Sequence, residues 1–475
     1  MQINTNVELK MSNQNHNSSV DTGELARSLS NRHLQLIAIG GAIGTGLFMG
    51  SGSTISKAGP SILFIYMIIG LMVFFVMRAL GELLLSNLKY KSFIDFSTDL
   101  IGPWAGYFVG WTYWLCWITI GIADLSAIIY YLQFFNHGVP FSPMEGAMIS
   151  IAAIVFIMGL NLMTVKLFGE LEFWFALIKI IAIVVLIAVG LWMIFTGFTN
   201  TAGDVASFKH LWDHGGMFPK GFDGFLAGFQ IAIFAFVGVE LVGTTAAETK
   251  DPEKNLPKAV NSIPIRIIFF YVLSLVIVMS VTPWDKIDPT ISPFVNLFSQ
   301  AGIAAAAIIM NLVVLSSVMS SMNSGVFSTS RMLFGLSREE QGPKAFGKLN
   351  GRAVPANALY FSGVCLLLGA GLQYVVPDTV KAFTLATTLS TILFICVWII
   401  IMWSYLVYYF KRPELHKKSI FKLPGGPITC YVVILFFIAM IYVLSKDEIT
   451  AQALAVSPIW LVILAIGYFG FYRKK

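Results

Sequence analysis

The feature that most constrains this chain is a succession of apolar runs of about 20 residues, separated by short charged stretches. A helix rises ~1.5 Å per residue, so each run is long enough to cross the roughly 30 Å of hydrocarbon in a bilayer. Charged residues make up only 12% of the 475 residues, roughly half of the share in an average soluble domain. Because backbone groups in lipid must be satisfied within the protein, the runs are predicted to be helices. The predicted fold class is an all-α polytopic membrane protein.

The chain contains twelve apolar segments, and an even number places both termini on one side of the membrane. Their approximate cores are 35–58, 60–86, 102–135, 144–165, 172–197, 224–248, 262–282, 301–335, 355–376, 381–409, 427–446 and 455–472. The polar first 33 residues lack the basic and apolar regions of a signal peptide. Residues 1–33 are therefore predicted to be a disordered cytoplasmic tail and 34–475 a transmembrane domain.

The distribution of basic residues predicts the orientation. With the N-terminus inside, six of the 31 Lys and Arg fall in outside loops, two fall within spans and 23 lie on the inside. The positive-inside rule then predicts that both termini are cytoplasmic. The same rule accounts for the net charge of +6, so no nucleic-acid partner is expected.

Several classes of protein are disfavoured by what the sequence lacks. The six histidines lie in tails, in loops or at span edges without metal-ligand spacing, and the four cysteines are scattered through apolar segments. An integral-membrane enzyme needs a cluster of catalytic or metal-binding side chains, and an ATP-driven pump needs a GxxxxGK[ST] loop, which does not occur. We therefore expect no enzyme activity, no cofactor and no metal.

The first segment carries six glycines between positions 40 and 52. Each costs about 1 kcal/mol relative to alanine in a helix interior, which disfavours a continuous helix. A break at Gly44-Thr45-Gly46 would present backbone N–H groups at the positive end of a half-helix, and such an end suits a carboxylate. Close packing of helices through small residues is the alternative interpretation of the same spacing.

The sixth segment places Glu240 in an otherwise apolar run. Spans one and six occupy equivalent positions if ten helices form two five-helix repeats, and a matched pair of irregular spans is typical of a transport site. At ~1.5 Å per residue, Gly44 to Gly46, Lys179 and Glu240 all lie roughly 10 to 15 Å from the inner face. The sequence thus predicts a polar centre at that depth.

Ionisable residues inside a bilayer usually face a cavity or a partner. Lys179 has no acid on its own helix turn, so burial favours its neutral form and makes it a candidate proton carrier; a tether to the backbone of span one is the alternative. Glu240 is a candidate second proton carrier or an electrostatic tether. Arg78 and Glu82, four residues apart, are predicted to be a structural pair, and Asp124 either lines a vestibule or is capped.

Three motifs carry a resemblance to a known family. The run Gly-Gly-Ala-Ile-Gly-Thr-Gly-Leu-Phe at 40–48 resembles the first-helix signature of the amino acid transporter family, within the amino acid–polyamine–organocation superfamily. The sixth-helix exit at 240–253 and the run Ser-Arg-Met-Leu-Phe-Gly-Leu at 330–336 match two further family motifs. The similarity extends over nearly the whole chain from about Leu29 onward.

The resemblance implies twelve transmembrane helices. Ten form a five-plus-five inverted repeat, approximately 34–197 and 224–409, in which helices one and six are broken, and two C-terminal helices follow within 427–472. It implies proton-coupled import of small zwitterionic amino acids, because the similarity is strongest to permeases of glycine, D-alanine and D-serine. The expected location is a bacterial plasma (inner) membrane, and the expected partners are the amino acid, protons and the lipid bilayer, without an obligate protein partner.

The family motifs also imply roles for particular residues. In this family backbone N–H groups of the first span bind the substrate carboxylate, carbonyls of the sixth span bind its ammonium, and Phe234 or Phe236 would cover the bound side chain. Lys179 matches the fifth-helix lysine that replaces a sodium ion in proton-coupled relatives. The implied substrate-binding residues are Ile43, Gly44, Thr45, Gly46, Phe234, Ala235, Phe236, Val237 and Gly238, and the proton-coupling residues are Lys179 and Glu240.

Two alternatives stay open on the sequence. An aromatic, proline or asparagine permease would share the broken-helix motifs, because those recognise only the α-amino and α-carboxylate groups. An uncoupled channel or facilitator would need neither a buried lysine nor paired broken helices. Side-chain selectivity depends on pocket residues that the motifs do not reveal, and Trp111, Trp114 and Trp117 are predicted to pack or to form an interfacial belt.

Overall fold

The protein is helical throughout the part of the chain that the computed structural model describes, residues 43–244, 251–376 and 378–472. Within these ranges the extended structure is limited to an isolated bridge between Thr199 and Val205. The helices are α1 Thr45–Phe48, α2 Gly50–Ala58, α3 Ile62–Ser86, α4 Phe93–Leu100, α5 Pro103–Gln133, α6 Pro143–Asn161, α7 Val165–Thr196, α8 His210–Asp213, α9 Gly221–Ala232, α10 Leu241–Thr244, α11 Pro252–Asn261, α12 Ile263–Arg266, α13 Ser274–Val281, α14 Pro293–Gln300, α15 Ala304–Arg338, α16 Ala356–Val375, α17 Thr379–Lys411, α18 Pro413–Lys418, α19 Gly426–Leu444 and α20 Glu448–Gly467.

Ten stretches of the described chain are long and apolar enough to cross a membrane. They are Gly50–Ser86, Pro103–Asn136, Pro143–Asn161, Leu167–Thr196, Pro252–Val281, Ala305–Arg338, Ala356–Val375, Thr379–Lys411, Gly426–Leu444 and Glu448–Tyr472. The prediction of an all-α polytopic membrane protein is confirmed at this level. The predicted tail 1–33, the beginning of the first span before Ile43 and the exit of the sixth span at 245–250 lie outside the described residues.

Local sequence signals set the ends of individual helices. Helix α6 begins with a capping box, in which the Ser142 hydroxyl accepts from the Glu145 amide and the Glu145 carboxylate accepts from the Ser142 amide. Helix α7 ends at Thr196, because the next residue, Gly197, has a positive φ of 62°. It begins at Val165, about two turns before the approximate core 172–197 that is predicted for the fifth span. This earlier start places Glu172 inside the helix.

Helices α5 and α17 form the centre of the molecule. They pack against each other, and α5 also packs along α15. Helices α19 and α20 lie at the periphery and present large apolar side chains such as Leu435 and Ile459 to the outside. In a soluble protein such exposure would be unfavourable, but in a bilayer these surfaces contact lipid.

Arg78 and Glu82 of α3 form no direct salt bridge with each other, which corrects the pairing predicted from their spacing. The buried Glu82 carboxylate accepts hydrogen bonds from His416 Nδ1 at 2.7 Å and from the Leu423 amide at 2.8 Å. The Arg78 guanidinium donates to the Lys422 carbonyl and lies 3.8 Å from the centroid of the Phe421 ring. Both side chains therefore attach the connection between α17 and α19 to α3.

Replacing Glu82 is expected to detach this connection. Glu82→Gln retains the side-chain shape but removes the charge that two donors share, and loss of a buried, charge-assisted hydrogen bond costs about 1–3 kcal/mol. We expect a lower apparent melting temperature of the detergent-purified protein, measured by a thermal-shift assay. Glu414→Gln is the matched control, because its pairing with Lys417 is exposed and worth at most ~1 kcal/mol. Equal melting temperatures for the two variants would contradict the assignment.

Candidate functional site

Two interruptions of helical structure define the site. The first lies at Gly44, which is extended (φ −124°, ψ −166°) and precedes the short helix α1. The second follows α9, where a 3₁₀ turn over Ile233–Phe236 leads to Val237 in an extended conformation. Gly238 then adopts a φ of 97°, a region that an L-residue with a side chain rarely occupies. Helix α10 resumes only at Leu241.

The two interruptions contact each other through backbone. A Cβ atom added at Gly46 would lie 2.5 Å from the Ala235 Cα and 2.8 Å from the Ala235 nitrogen. A rigid backbone neighbour cannot move aside as a flexible side chain can, so a hydrogen atom is required at this position. Close packing through small residues, the alternative interpretation of the glycines, thus applies to Gly46. The segment that packs against Gly46 is the second helix break.

A small cavity lies where the interruptions meet. Its volume is about 20 Å³, which holds roughly one or two water molecules. The lining residues come from the first break with α1, the second break with the start of α10, and the middle of α5 and α15: Gly44, Thr45, Gly46, Trp117, Ile120, Phe234, Ala235, Val237, Leu241, Ser320, Ser321 and Ser324. The lining therefore combines backbone and hydroxyl groups with aromatic and aliphatic side chains.

The structure brings six of the nine predicted substrate-binding residues to this cavity: Gly44, Thr45, Gly46, Phe234, Ala235 and Val237. The other three lie behind its wall. The Ile43 carbonyl accepts from the Ser317 hydroxyl at 3.2 Å, and the Gly238 amide donates to the Glu240 carboxylate at 3.2 Å. Phe236 is fully buried and stacks on Tyr271 with 5.1 Å between ring centroids.

Phe234, and not Phe236, has the position that the predicted aromatic cover requires in this conformation. It lines the cavity and packs edge-to-face on Phe383 of α17. The two phenylalanines are two residues apart in a 3₁₀ turn of about three residues, so they point in different directions. Sequence position could not distinguish them, because both follow the same apolar pattern.

Neighbouring polar side chains hold both breaks in place. The Thr45 hydroxyl donates to Asp124 Oδ1 of α5 at 2.9 Å, so Asp124 lies directly behind the first break. The Tyr271 hydroxyl donates to the Ala235 carbonyl at 2.8 Å. Tyr271 belongs to the π-helical segment Ile267–Leu273, an irregularity that often occurs at functional sites. One predicted acceptor for a substrate ammonium, the Ala235 carbonyl, thus already has one donor.

The two predicted proton-coupling residues have different relations to the cavity. Lys179 of α7 is fully buried, and its Nζ donates to the hydroxyl of Ser320, a cavity-lining residue, at 3.1 Å. Glu240 is also fully buried but accepts a weak hydrogen bond from the Tyr113 hydroxyl at 3.4 Å. Lys179 is therefore one side chain away from the cavity, whereas the Glu240 side chain is directed toward α5.

Sequence reasoning missed the contributions of α5 and α15. Trp117 lines the cavity, which corrects its assignment to packing or an interfacial belt. The serines of α15 recur at helical spacing inside an apolar span, a polar stripe that could have been recognised: Ser317, Ser320, Ser321, Ser324 and Ser328. Glu172 was also missed, because the fifth span was predicted to begin at that residue.

Comparison with known proteins decides the family. Residues 33–475 match the model of the amino acid permease family. This chain belongs to that family. The permease is 61% identical over 451 residues, 95% of each chain, to the D-serine/D-alanine/glycine transporter of Escherichia coli K12. It is 49% identical over 445 residues to the amino-acid permease AapA of Bacillus subtilis, covering 94% of this chain and 95% of that one.

A third relative is a transport protein for amino acids with a different class of side chain. The aromatic amino acid transport protein AroP of Escherichia coli O6:H1 is 38% identical over 449 residues, 94% of this chain and 95% of that one. The ten apolar helices and the bacterial relatives together indicate a multi-pass inner-membrane protein whose function is amino acid import. Because relatives named for different amino acids belong to this family, membership alone does not identify the substrate of this permease.

The backbone contact at Gly46 generates a direct prediction. Gly46→Ala forces a methyl group against the backbone at Ala235, and overpacking of this kind typically costs about 1–3 kcal/mol. We expect loss of amino acid uptake together with a lower melting temperature. Gly159→Ala on α6 is the control, because a Cβ there meets nothing within 4 Å and alanine favours the helix by up to ~1 kcal/mol. Normal uptake by Gly46→Ala would show that the two breaks need not touch.

Proposed function

We propose that this permease imports small zwitterionic amino acids, with glycine, D-alanine and D-serine as substrates, and that an inward proton gradient drives the import. The observation that carries the proposal is the small cavity at the junction of the two helix breaks. The 61% identity to a D-serine/D-alanine/glycine transporter supports the same substrates. Besides the bilayer, the proposal requires only the amino acid and protons as partners.

The two breaks supply opposite partial charges to the two ends of a zwitterion. Within the described chain α1 begins at Thr45, and the amides at a helix N-terminus attract a carboxylate. Carbonyls around Phe234 and Val237 at the second break are acceptors for an ammonium group. Ile43 and Gly238 act indirectly in this proposal, by holding the breaks in shape.

The apolar wall of the cavity limits the side chain of the substrate. Trp117 and Ile120 of α5 and Phe234 of the second break occupy the space into which a side chain would extend. The hydroxyls of Ser321 and Ser324 line the same cavity and offer hydrogen bonds to a small polar group such as the hydroxymethyl of serine. An aromatic substrate would need a much larger displacement of this wall.

Buried ionisable groups next to the cavity support coupling to protons. Burying a lysine is costly unless its charge is compensated or lost, so a fully buried lysine bonded to a cavity-lining serine is suited to exchanging a proton during transport. An uncoupled channel has no need of such a group. Glu240 has a second, supporting role in the proposal. Its carboxylate accepts a hydrogen bond from the Gly238 amide, which links protonation of Glu240 to the second break.

The proposed topology has twelve crossings with both termini in the cytoplasm. Ten crossings form the five-plus-five inverted repeat, and α19 and α20 are the two that follow it. In addition to the long apolar stretches, α9 and the turn to Phe236 form a shorter apolar helix, which with α10 makes one interrupted crossing. Helices α1 and α2 belong to the other interrupted crossing and α3 to the next, so the stretch Gly50–Ser86 contributes to two of the twelve crossings. The charge bias of the loops supports the orientation.

Uptake by proteoliposomes tests the proposal. The purified permease is reconstituted, and uptake of labelled glycine, D-alanine, D-serine, L-phenylalanine and L-proline is measured with and without an inward proton gradient. We expect concentrative uptake of the first three, abolished by an uncoupler. Preference for phenylalanine or proline would overturn the substrate assignment, and uptake that ignores the gradient would overturn the coupling.

Widening the cavity is expected to change the selectivity. Trp117→Leu removes part of the aromatic wall, and recognition by a hydrophobic pocket changes by roughly 10–200-fold per methylene-sized difference. We expect a higher ratio of L-phenylalanine to glycine uptake than in the unsubstituted permease. Trp174→Leu on the outer face of α7, where Trp174 is 58% exposed, controls for loss of a tryptophan. An unchanged ratio for Trp117→Leu would remove Trp117 from the substrate pocket.

A further inference from the structure

We propose that Glu172 of α7 is the acceptor of the coupled proton on its way from Lys179 to the cytoplasm, with the Ser320 hydroxyl as the intermediate carrier. This inference rests on the proton coupling proposed above and adds a route to it. Glu172 is 3% exposed and Lys179 is fully buried. No role at the substrate cavity accounts for Glu172, because it is absent from the cavity lining.

An unbroken line of hydrogen bonds joins the two groups. Lys179 Nζ donates to Ser320 Oγ at 3.1 Å, and Ser320 Oγ donates to Glu172 Oε2 at 2.8 Å. Lys179 and Glu172 are seven residues apart on α7, about two turns or ~10 Å along the axis, and they lie on the same face of the helix. Ser320 of the neighbouring helix α15 fills the gap between them.

The direction of these bonds suits transfer from lysine to glutamate. One N–H bond of the Lys179 ammonium breaks as an O–H bond forms on Ser320, and the original Ser320 O–H bond breaks as an O–H bond forms on Glu172 Oε2. The products are a neutral amine, an unchanged hydroxyl and a carboxylic acid, so atoms and charge balance. Because Ser320 also lines the substrate cavity, occupation of the cavity can influence this step.

The surroundings of Glu172 are polar and contain few charges. Asn323 Nδ2 donates to Glu172 Oε1 at 2.7 Å, and Asn161 Nδ2 of α6 donates to Asn323 Oδ1 at 2.8 Å. Among the described residues, Lys179 is the charged group that acts on Glu172, whereas Lys179 is acted on by both Glu172 and Asp124. A proton that reaches Glu172 therefore neutralises the acidic end of the hydrogen-bonded line.

An aromatic barrier closes the far side of Glu172. Phe168, one turn before Glu172, stacks on Phe327, one turn after Asn323, with 3.8 Å between ring centroids and 9° between planes. The Arg331 guanidinium covers Phe327 at 3.3 Å. The stack lies on the side of Glu172 opposite to Lys179. In the proposed orientation this is the cytoplasmic side, so separation of Phe168 from Phe327 would connect Glu172 to the cytoplasm.

Comparison of net uptake with exchange tests the relay. Net uptake of glycine into proteoliposomes, driven by an inward proton gradient, requires the proton to be released inside. Exchange of external labelled glycine for internal unlabelled glycine does not. For Glu172→Gln we expect net uptake to fall at least about tenfold, as for loss of a proton-transfer group, while exchange falls by no more than about threefold. Glycine-driven acidification of the lumen, reported by trapped pyranine, should fall with net uptake.

Matched variants separate the relay from a general effect of removing a charge or a hydroxyl from these helices. Glu170→Gln removes a half-buried carboxylate from the same helix and should retain gradient-driven uptake. Ser320→Ala should lose net uptake, and Ser320→Thr, which restores the hydroxyl, should recover part of it. If Glu172→Gln cannot be purified as a folded protein, the comparison of Ser320→Ala with Ser320→Thr tests the relay instead. Net uptake by Ser320→Ala at the level of the unsubstituted permease would overturn the relay.

The outcomes distinguish the relay from the proposed function. If the unsubstituted permease takes up glycine without regard to the gradient, the coupling itself is wrong. If its uptake is driven by the gradient and Glu172→Gln is equally concentrative, only the relay is wrong. Equal loss of net uptake and exchange in folded Glu172→Gln would assign Glu172 a structural role and would also overturn the relay.

Discussion

The contact between the backbone at Gly46 and the backbone at Ala235 is the constraint on which the rest of the site depends. Two segments that leave the helical conformation inside a membrane must find partners for their exposed amides and carbonyls. Here they lie against each other, with no side chain between them at Gly46. Both breaks line one shared cavity, and their close contact keeps that cavity small.

Side chains from helices outside the breaks make this arrangement rigid. Asp124 receives the Thr45 hydroxyl, and Tyr271 donates to the Ala235 carbonyl. Trp117 closes the apolar wall. Buried polar groups in a membrane protein cost free energy unless each finds a partner, so these pairs both stabilise the breaks and restrict where they can sit. The same principle governs the second polar centre, where Lys179, Ser320 and Glu172 form one hydrogen-bonded line.

Much of this could be predicted from the sequence, and the errors have physical causes. The glycines at 44 and 46 and the run around Phe234 identify both breaks, because glycine and charge inside apolar spans are costly. Phe236 was grouped with Phe234, but a 3₁₀ turn directs it toward Tyr271. The spacing of Arg78 and Glu82 is compatible with a pair, yet residues more than 300 positions later in the chain supply the partners of Glu82. Helical spacing reports which residues can meet on one helix and says nothing of competing partners from elsewhere.

The sequence by itself determined that this chain spans a membrane, that two of its spans are interrupted and that the motifs are those of amino acid permeases. These properties depend on local stretches of sequence or on motifs that match a known family, so they can be recognised without knowledge of tertiary contacts. Only the tertiary structure decided that Trp117 and the serines of α15 line the cavity, and that Ser320 lies between Glu172 and Lys179. Those relations join helices α5, α7 and α15, and the packing of distant helices depends on the shape of every side chain between them rather than on any single stretch of sequence.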